Sequence, residues 1–232
     1  MKIGIYGGSF NPPHLGHLAA ARAAVSALGL DRLVFVPAGL PPHKELPPGS
    51  PTPGQRLAMT EIAADQLLLP EVTEVWDVEL HRAGRSYTAD TLEAAAERWP
   101  GAELWLLMGT DMFLTLHQWH EPERILALAG VCAFGRTEAD GEAVFAPQRE
   151  YLSKTYGARM TTISIPGLVD VSSTRMREEL AAGAGREFLP EAVYGYILRE
   201  KLYGTNADLK RLSLEDLRCV SSSMVYAKRL AH

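Results

Sequence analysis

Only two cysteines occur in the 232 residues, Cys132 and Cys219, too few for a disulfide framework. Cys132 lies in the apolar run Val131-Cys132-Ala133-Phe134, where a thiol packs as a small hydrophobe. No uninterrupted apolar stretch approaches the length of a membrane-spanning helix, and the opening Met1-Lys2-Ile3-Gly4-Ile5-Tyr6 runs into glycine before it could supply the apolar region of a signal peptide. Positive charge is short as well. Against 28 Asp plus Glu stand 23 Lys plus Arg, a formal charge of −5, which disfavours a protein that tracks nucleic-acid phosphates with a basic surface. These absences imply a soluble, cytoplasmic protein with no membrane or nucleic-acid partner, and they leave room for a local basic pocket. Hydrophobic residues make up 47% of the chain and charged residues 22%, the balance of a sequence that folds around a core.

Strand-length apolar runs at 3–6, 33–36, 72–75, 104–108, 131–134 and 161–165 alternate with helical patterns at 15–28, 55–68, 89–99, 122–128, 173–182 and 191–202. The strands are apolar on both faces, so the rhythm predicts an α/β fold: a Rossmann-like, doubly wound parallel sheet covered by helices on both sides. Ligands of such sheets collect beyond the C-terminal ends of the strands. One segment interrupts the pattern. Of the 17 residues numbered 37–53, 7 are proline, which predicts a long loop of the kind that often serves as a lid. After residue 203 the alternation stops, and 213–231 reads as an extra C-terminal helix with Ser213 as N-cap, Glu215 and Asp216 in its first turn, and Lys228 and Arg229 in its last. The expected division is a domain over 1–203 and a helical extension over 204–232 that packs on the core or makes a homo-oligomer.

The densest chemistry opens the chain. Gly7-Gly8-Ser9-Phe10-Asn11-Pro12-Pro13-His14-Leu15-Gly16-His17 stands directly after the first strand and before a helix. Gly7 and Gly8 let the backbone approach a ligand, and the following helix presents unpaired N–H groups and a positive dipole end to anionic oxygens. His14 and His17, three apart, fall on one helical face and can donate together to a phosphate. The plainer alternative is a tight turn whose histidines only cap the helix. The spacing is neither the dinucleotide fingerprint Gly-x-Gly-x-x-Gly nor a P-loop ending in Gly-Lys-Ser/Thr. A second phosphate-directed run, Val171-Ser172-Ser173-Thr174-Arg175-Met176-Arg177, follows the last strand; its hydroxyls sit at a helix N-terminus and Arg177 lies one turn up, placed to fork onto phosphate oxygens.

His14-Leu15-Gly16-His17 resembles the paired-histidine signature of the nucleotidylyltransferase superfamily, and the whole run from Gly7 to His17 is similar to that of the nicotinate-nucleotide adenylyltransferases of bacterial NAD synthesis. The second run resembles the same family's Ile-Ser-Ser-Thr-x-x-Arg block, with Val171 in place of isoleucine. The resemblance covers about residues 1–203. It implies the nucleotidylyltransferase fold and transfer of an adenylyl group from ATP to nicotinate mononucleotide, releasing pyrophosphate. By position it assigns ATP to Gly7, Gly8, Ser9, His14, His17, Gly109, Asp111, Ser173, Thr174 and Arg177, with His14, His17, Lys44 and Arg177 as the catalytic donors. Lys44 lies in Pro42-His43-Lys44, within the proline-rich loop, where a mobile ammonium can neutralise transition-state charge.

The mononucleotide falls to Ser9, Phe10, Lys44, Tyr87, Thr88, Trp119 and Arg136. Ser86-Tyr87-Thr88-Ala89-Asp90-Thr91 matches the family run that recognises the nicotinate carboxylate at a helix N-terminus, and capping by Thr88 is compatible with that role. Asp111, in Gly109-Thr110-Asp111 after the fourth strand, would accept from ribose hydroxyls, and Trp119 offers a flat face to a pyridine ring. Arg136, just past Phe134, is placed for the mononucleotide phosphate. No Cys/His cluster suggests zinc; Mg²⁺ is expected to arrive on ATP. The competing readings are an adenylyltransferase for nicotinamide mononucleotide or phosphopantetheine, and a nucleotide sensor without catalysis. Residues 224–232 also faintly resemble the opening helix of HD-type phosphohydrolases.

Overall fold

The computed structural model describes residues 1–39, 46–135, 141–165, 173–205 and 213–230, with side chains in the last helix up to Tyr226. His43, Lys44, Arg136, Val171 and Ser172 lie outside the described residues, as do the side chains of Lys228 and Arg229. The first half of the chain forms β1 (Lys2–Gly8), α1 (Leu15–Leu28), β2 (Arg32–Pro37), α2 (Pro53–Asp65), β3 (Thr73–Val75), α3 (Thr88–Arg98) and β4 (Glu103–Gly109). Then come α4 (Thr110–Thr115), α5 (Pro122–Leu128), β5 (Ala129–Gly135), α6 (Glu142–Tyr156) and β6 (Met160–Ser164). The described chain closes with α7 (Ser173–Ala181), α8 (Glu191–Arg199) and α9 (Leu214–Leu230).

The strands form one 6-stranded sheet in the order β3-β2-β1-β4-β5-β6, with every neighbouring pair parallel. Successive residues of a strand point to opposite faces, so a sheet covered on both sides must be apolar at every position. That is what β1 and β2 show. Ile3, Ile5, Val34 and Val36 pack with Leu92, Phe113, Ile125 and Phe145 from α3 to α6 on one face. Tyr6, Leu33 and Phe35 pack with Leu18, Met59, Met176 and Val193 from α1, α2, α7 and α8 on the other.

α1 matches the sequence expectation residue for residue and ends in a left-handed Gly29 with φ 60°. α5 also agrees with its expected span. Four expectations need correction, the first being α2, which ends at Asp65 rather than 68, where Leu68 takes a left-handed φ of 55°. α4 and the 15-residue α6 were absent from the pattern; Pro147 inside α6 is the residue type that argues against a helix interior. α8 stops at Arg199 rather than 202, because Lys201 and Tyr203 take left-handed φ values of 53° and 56° that a helix cannot continue through.

α9 lies against α8. A Cβ built on Gly195 of α8 would stand 1.9 Å from the carbonyl oxygen of Cys219, so only glycine allows this approach. Ser213 caps α9 as expected, its hydroxyl accepting the Asp216 N–H at 3.1 Å, while Arg186 pairs with Glu215 at 2.9 Å across the junction. Among the described residues no helix is long and apolar enough to cross a membrane.

Candidate active site

The glycine-rich turn leaves the C-terminal end of β1, and Gly109 ends the adjacent strand β4 at the same edge. From β1 the sheet grows one way to β2 and β3 and the other way through β4 to β6. The two motifs therefore flank the point where the winding reverses, the crevice in which such sheets take ligands.

The turn rests on a buried aromatic floor. Phe10, at φ 43° and 1% exposed, meets Tyr6 and Phe35 with ring centroids 5.8 and 5.7 Å away. The Phe10 ring thus supports the turn from below. Ser9 follows Gly8 half-buried, its carbonyl accepting from Arg56 Nη1 at 2.9 Å.

His14 is the N-cap of α1 with extended φ and ψ of −137° and 170°, and His17 is at the third helical position. Their rings lie 3.8 Å apart, and His17 Nδ1 accepts the His14 backbone N–H at 3.1 Å. An accepting Nδ1 places the proton of the neutral His17 ring on Nε2. The capping of the plainer reading is present: Nδ1 serves the cap, and the neutral ring then carries its proton on Nε2.

The second phosphate motif meets the first although 166 residues separate Arg177 from Asn11. Arg177 Nη1 donates to the Asn11 carbonyl at 3.0 Å and Nη2 to Thr174 Oγ1 at 3.1 Å, while Ser173 Oγ approaches the Pro12 carbonyl at 3.5 Å. Asn11, 1% exposed, is the hub: its Nδ2 donates to Ser50 Oγ at 3.0 Å and its Oδ1 accepts from Tyr203 Oη at 2.8 Å. Tyr203 holds a left-handed backbone that a bulky residue keeps only where its surroundings demand it. A cleft of about 290 Å³ lined by Pro47, Ser50, Arg177 and Tyr203 opens beside this knot. A larger concavity of about 400 Å³ lies at Arg149, Glu150 and Met160, by the N-terminal start of β6 and away from the strand C-termini.

α3 begins differently from expectation. Its N-cap is Tyr87, without a side-chain cap bond, and Thr88 is the first helical residue, so capping by Thr88 is not what the structure contains. Asp90 does stand in the first turn, 3.3 Å from Arg124 of α5, which also pairs with Glu121 and Glu93. The Tyr87 ring stacks on His120 at 4.1 Å, which brings the start of α3 beside Trp119. Trp119 is half-buried, partly packed on the Ile3 face of the sheet. Asp111, read as a strand end, sits exposed in the first turn of α4, and Thr110 Oγ1 donates to the Phe134 carbonyl at 3.3 Å.

Two buried ions behind these motifs escaped the sequence reading. Arg56, 1% exposed, has Nε and Nη2 without a hydrogen-bond partner among the described residues, and burial pulls its guanidinium below the ordinary arginine value despite the opposing influence of Tyr203 and Glu79. Glu79, 9% exposed, is pushed above the usual carboxylate range by burial, against the Thr91 hydroxyl, the Gly39 N–H, Arg82 and Arg56. Arg56 was detectable in principle, since Arg56, Met59, Thr60 and Ala63 recur at the helical spacing of a buried face. No local pattern marks Glu79.

Known proteins supply the context. The cytidylyltransferase-like family model matches residues 5–179. A Gemmatimonas aurantiaca protein named "Probable nicotinate-nucleotide adenylyltransferase" is 37% identical over 204 residues, covering 88% of this chain and 92% of its own. One of the same name from Albidiferax ferrireducens is 38% identical over 205 residues, covering 88% and 98%. The solved structure of Plasmodium falciparum nicotinic acid mononucleotide adenylyltransferase complexed with NaAD shares the fold at a TM-score of 0.73 and 20% identity, covering 88% of this chain and 98% of that one.

Proposed function

Because the chain belongs to the cytidylyltransferase-like family, among its nicotinate-nucleotide adenylyltransferases, we propose that it transfers the adenylyl group of ATP to nicotinate mononucleotide in the cytoplasm, giving deamido-NAD and pyrophosphate. The observation that carries this reading is the meeting of the two phosphate motifs at the sheet's reversal point, with Arg177 bonded to the Asn11 carbonyl and the paired histidines on the helix that follows.

A phosphate oxygen of the mononucleotide forms the new bond to the α-phosphorus. The bond from that phosphorus to its bridging oxygen breaks, and pyrophosphate leaves with the electron pair. The acceptor phosphate is already anionic at neutral pH, so no general base is needed. The work left to the protein is alignment of two anions and stabilisation of charge. His17, holding its proton on Nε2, and His14 donate to the α- and β-phosphates; Ser173, Thr174 and Arg177 hold the leaving pyrophosphate. Gly7, Gly8 and Ser9 present backbone to ATP, and Gly109 and Asp111 serve its ribose. The unshared first-turn amides of α3 at Tyr87 and Thr88 take the nicotinate carboxylate, and Trp119 takes the ring through its exposed part. Lys44 and Arg136 complete the cation set by the family's pattern. Mg²⁺ is a hard cation that prefers phosphate, carboxylate and water oxygens to imidazole or guanidinium nitrogen, so it would come bound to ATP and neutralise its phosphates. Residues 1–203 form the transferase, and 204–232 an accessory segment.

Mixing ATP, Mg²⁺ and nicotinate mononucleotide is expected to release pyrophosphate, with kcat/KM higher for the acid than for nicotinamide mononucleotide. A preference for the amide would overturn the substrate, and no pyrophosphate with either would overturn the catalytic reading.

A further inference from the structure

The mononucleotide side of the site is built from segments far apart in the chain, and two ions that take no part in the chemistry reach all of them. Arg56 stands in α2 and donates to the Ser9 carbonyl, 47 residues away. Glu79 Oε1 accepts from Thr91 Oγ1 at 2.7 Å, in the first turn after Tyr87 and Thr88, and Oε2 faces the Gly39 N–H at 3.4 Å. The Glu79 carbonyl accepts in addition from the Arg82 N–H at 3.3 Å and lies 3.5 Å from Ser86 Oγ. Gly39, at the root of the proline-rich segment, is pressed so closely on Glu79 that a Cβ would lie 2.3 Å from the Glu79 carbonyl oxygen. The ATP-side groups Ser173, Thr174 and Arg177 hang on separate contacts, to Pro12 and Asn11.

Burying two ions costs more than burying apolar side chains of the same volume, and a partner-for-partner replacement by apolar groups is often neutral or stabilising. Stability alone therefore does not account for this pair. Nor does local hydrogen bonding, since Arg56 keeps two buried nitrogens without partners among the described residues while using a third on Ser9. What the two side chains add to the backbone pairing of β1 with β2 is a side-chain tie at each of three walls: Arg56 at the glycine-rich turn, and Glu79 at the root of the proline-rich segment and the start of α3.

We propose that Arg56 and Glu79 are positioning residues that hold Ser9, Gly39 and the first turn of α3 in register, and so set the affinity for the acceptor mononucleotide more than that for ATP, which shares only Ser9 with them. This rests on assigning Ser9, Tyr87 and Thr88 to the acceptor.

The test is a set of three variants: Arg56→Lys, which keeps the charge and loses the fork; Glu79→Gln, which keeps the shape and loses the charge; and the double variant Arg56→Met with Glu79→Gln, which removes both ions and so avoids stranding one. Each is assayed with the mononucleotide that the wild type uses best, so a wrong assignment of acid or amide is seen in the wild type and does not obscure the variants. All three should raise KM for the mononucleotide by about tenfold or more, since small misplacements of aligning groups are costly, while KM for ATP stays within about twofold in Glu79→Gln, which touches no ATP group, and rises less than that for the mononucleotide in the two variants of Arg56, whose Ser9 partner also meets ATP. Restoration of wild-type KM in the double variant would overturn the proposal, because the ions would then serve only each other. So would a parallel rise in both KM values that tracks the loss of melting temperature, the mark of a purely structural role.

Discussion

In the proposed reaction His17 joins the cap to the chemistry through its two ring nitrogens. With Nδ1 fixed by the His14 N–H, Nε2 is held as a preorganised donor that needs no reorientation during reaction. His17→Ala is expected to lower kcat by about a hundredfold or more, and, because the ring also accepts the His14 N–H and packs on Phe10, to cost about 1 kcal/mol of stability; a variant with near-normal kcat would sink the assignment. Glu79 supports a prediction of stability rather than rate. Its carboxyl is raised in the folded state by burial, so the folded protein holds that proton more tightly than the unfolded chain does. Stability from this group is full below the ordinary carboxylate range and declines as pH rises through the raised value. The melting temperature of Glu79→Gln minus that of the wild type should therefore increase between about pH 4 and about pH 8. A difference that shrinks with pH would mean the carboxyl is stabilised as an anion. The motif residues were readable because their chemistry is local: glycines, histidines and hydroxyls at helix starts. Glu79 was not, because its burial is decided by segments brought in from elsewhere in the chain, and Arg56 was marked only as one position on the buried face of α2.

Among the elements, the parallel strands and α1 were legible from period and punctuation, since alternating apolar faces and a glycine stop are consequences of backbone geometry alone. α6 was not, since Pro147 contradicts its local propensity and packing of Phe145 and Leu152 on the sheet outweighs that cost. α4 is one short helix set directly on a strand end, where nothing separates the two patterns. The α8–α9 junction yields a sharper expectation. Gly195→Ala gains helix propensity of up to about 1 kcal/mol but drives a methyl into the Cys219 carbonyl 1.9 Å away. In the full chain the clash wins, and denaturant titration should show a loss of about 1–3 kcal/mol, as overpacking commonly gives. In a chain ending at residue 205 the same substitution should be neutral or stabilising. Equal destabilisation in both would show that the glycine serves α8 itself.

For the molecule as a whole, the charge of −5 is reconciled with two anionic substrates by convergence. His14, His17 and Arg177 stand at one edge, while other cations such as the half-buried Arg149 and Arg124 and the exposed Lys154 are engaged by neighbouring carboxylates. The two cysteines report on how the molecule opens. Both are fully buried, and burial pushes the Cys132 thiol up to about 12 and raises that of Cys219 as well. Alkylating reagent at about pH 8 should leave both unmodified in the native protein. With rising denaturant Cys219, covered by the α8–α9 contact, should react before Cys132 in the centre of β5; simultaneous labelling would mean that α9 and the sheet unfold as one unit.

Because Asn11 in the first turn is completed by Arg177 and Tyr203, the chain's order of synthesis has a consequence. A nascent polypeptide carries its histidines from the start, yet its adenylyl-transfer site stays unfinished until residue 203 has left the ribosome. Turnover thus requires the chain to be made through residue 203, and products truncated before it that still contain the histidine motif should be catalytically silent.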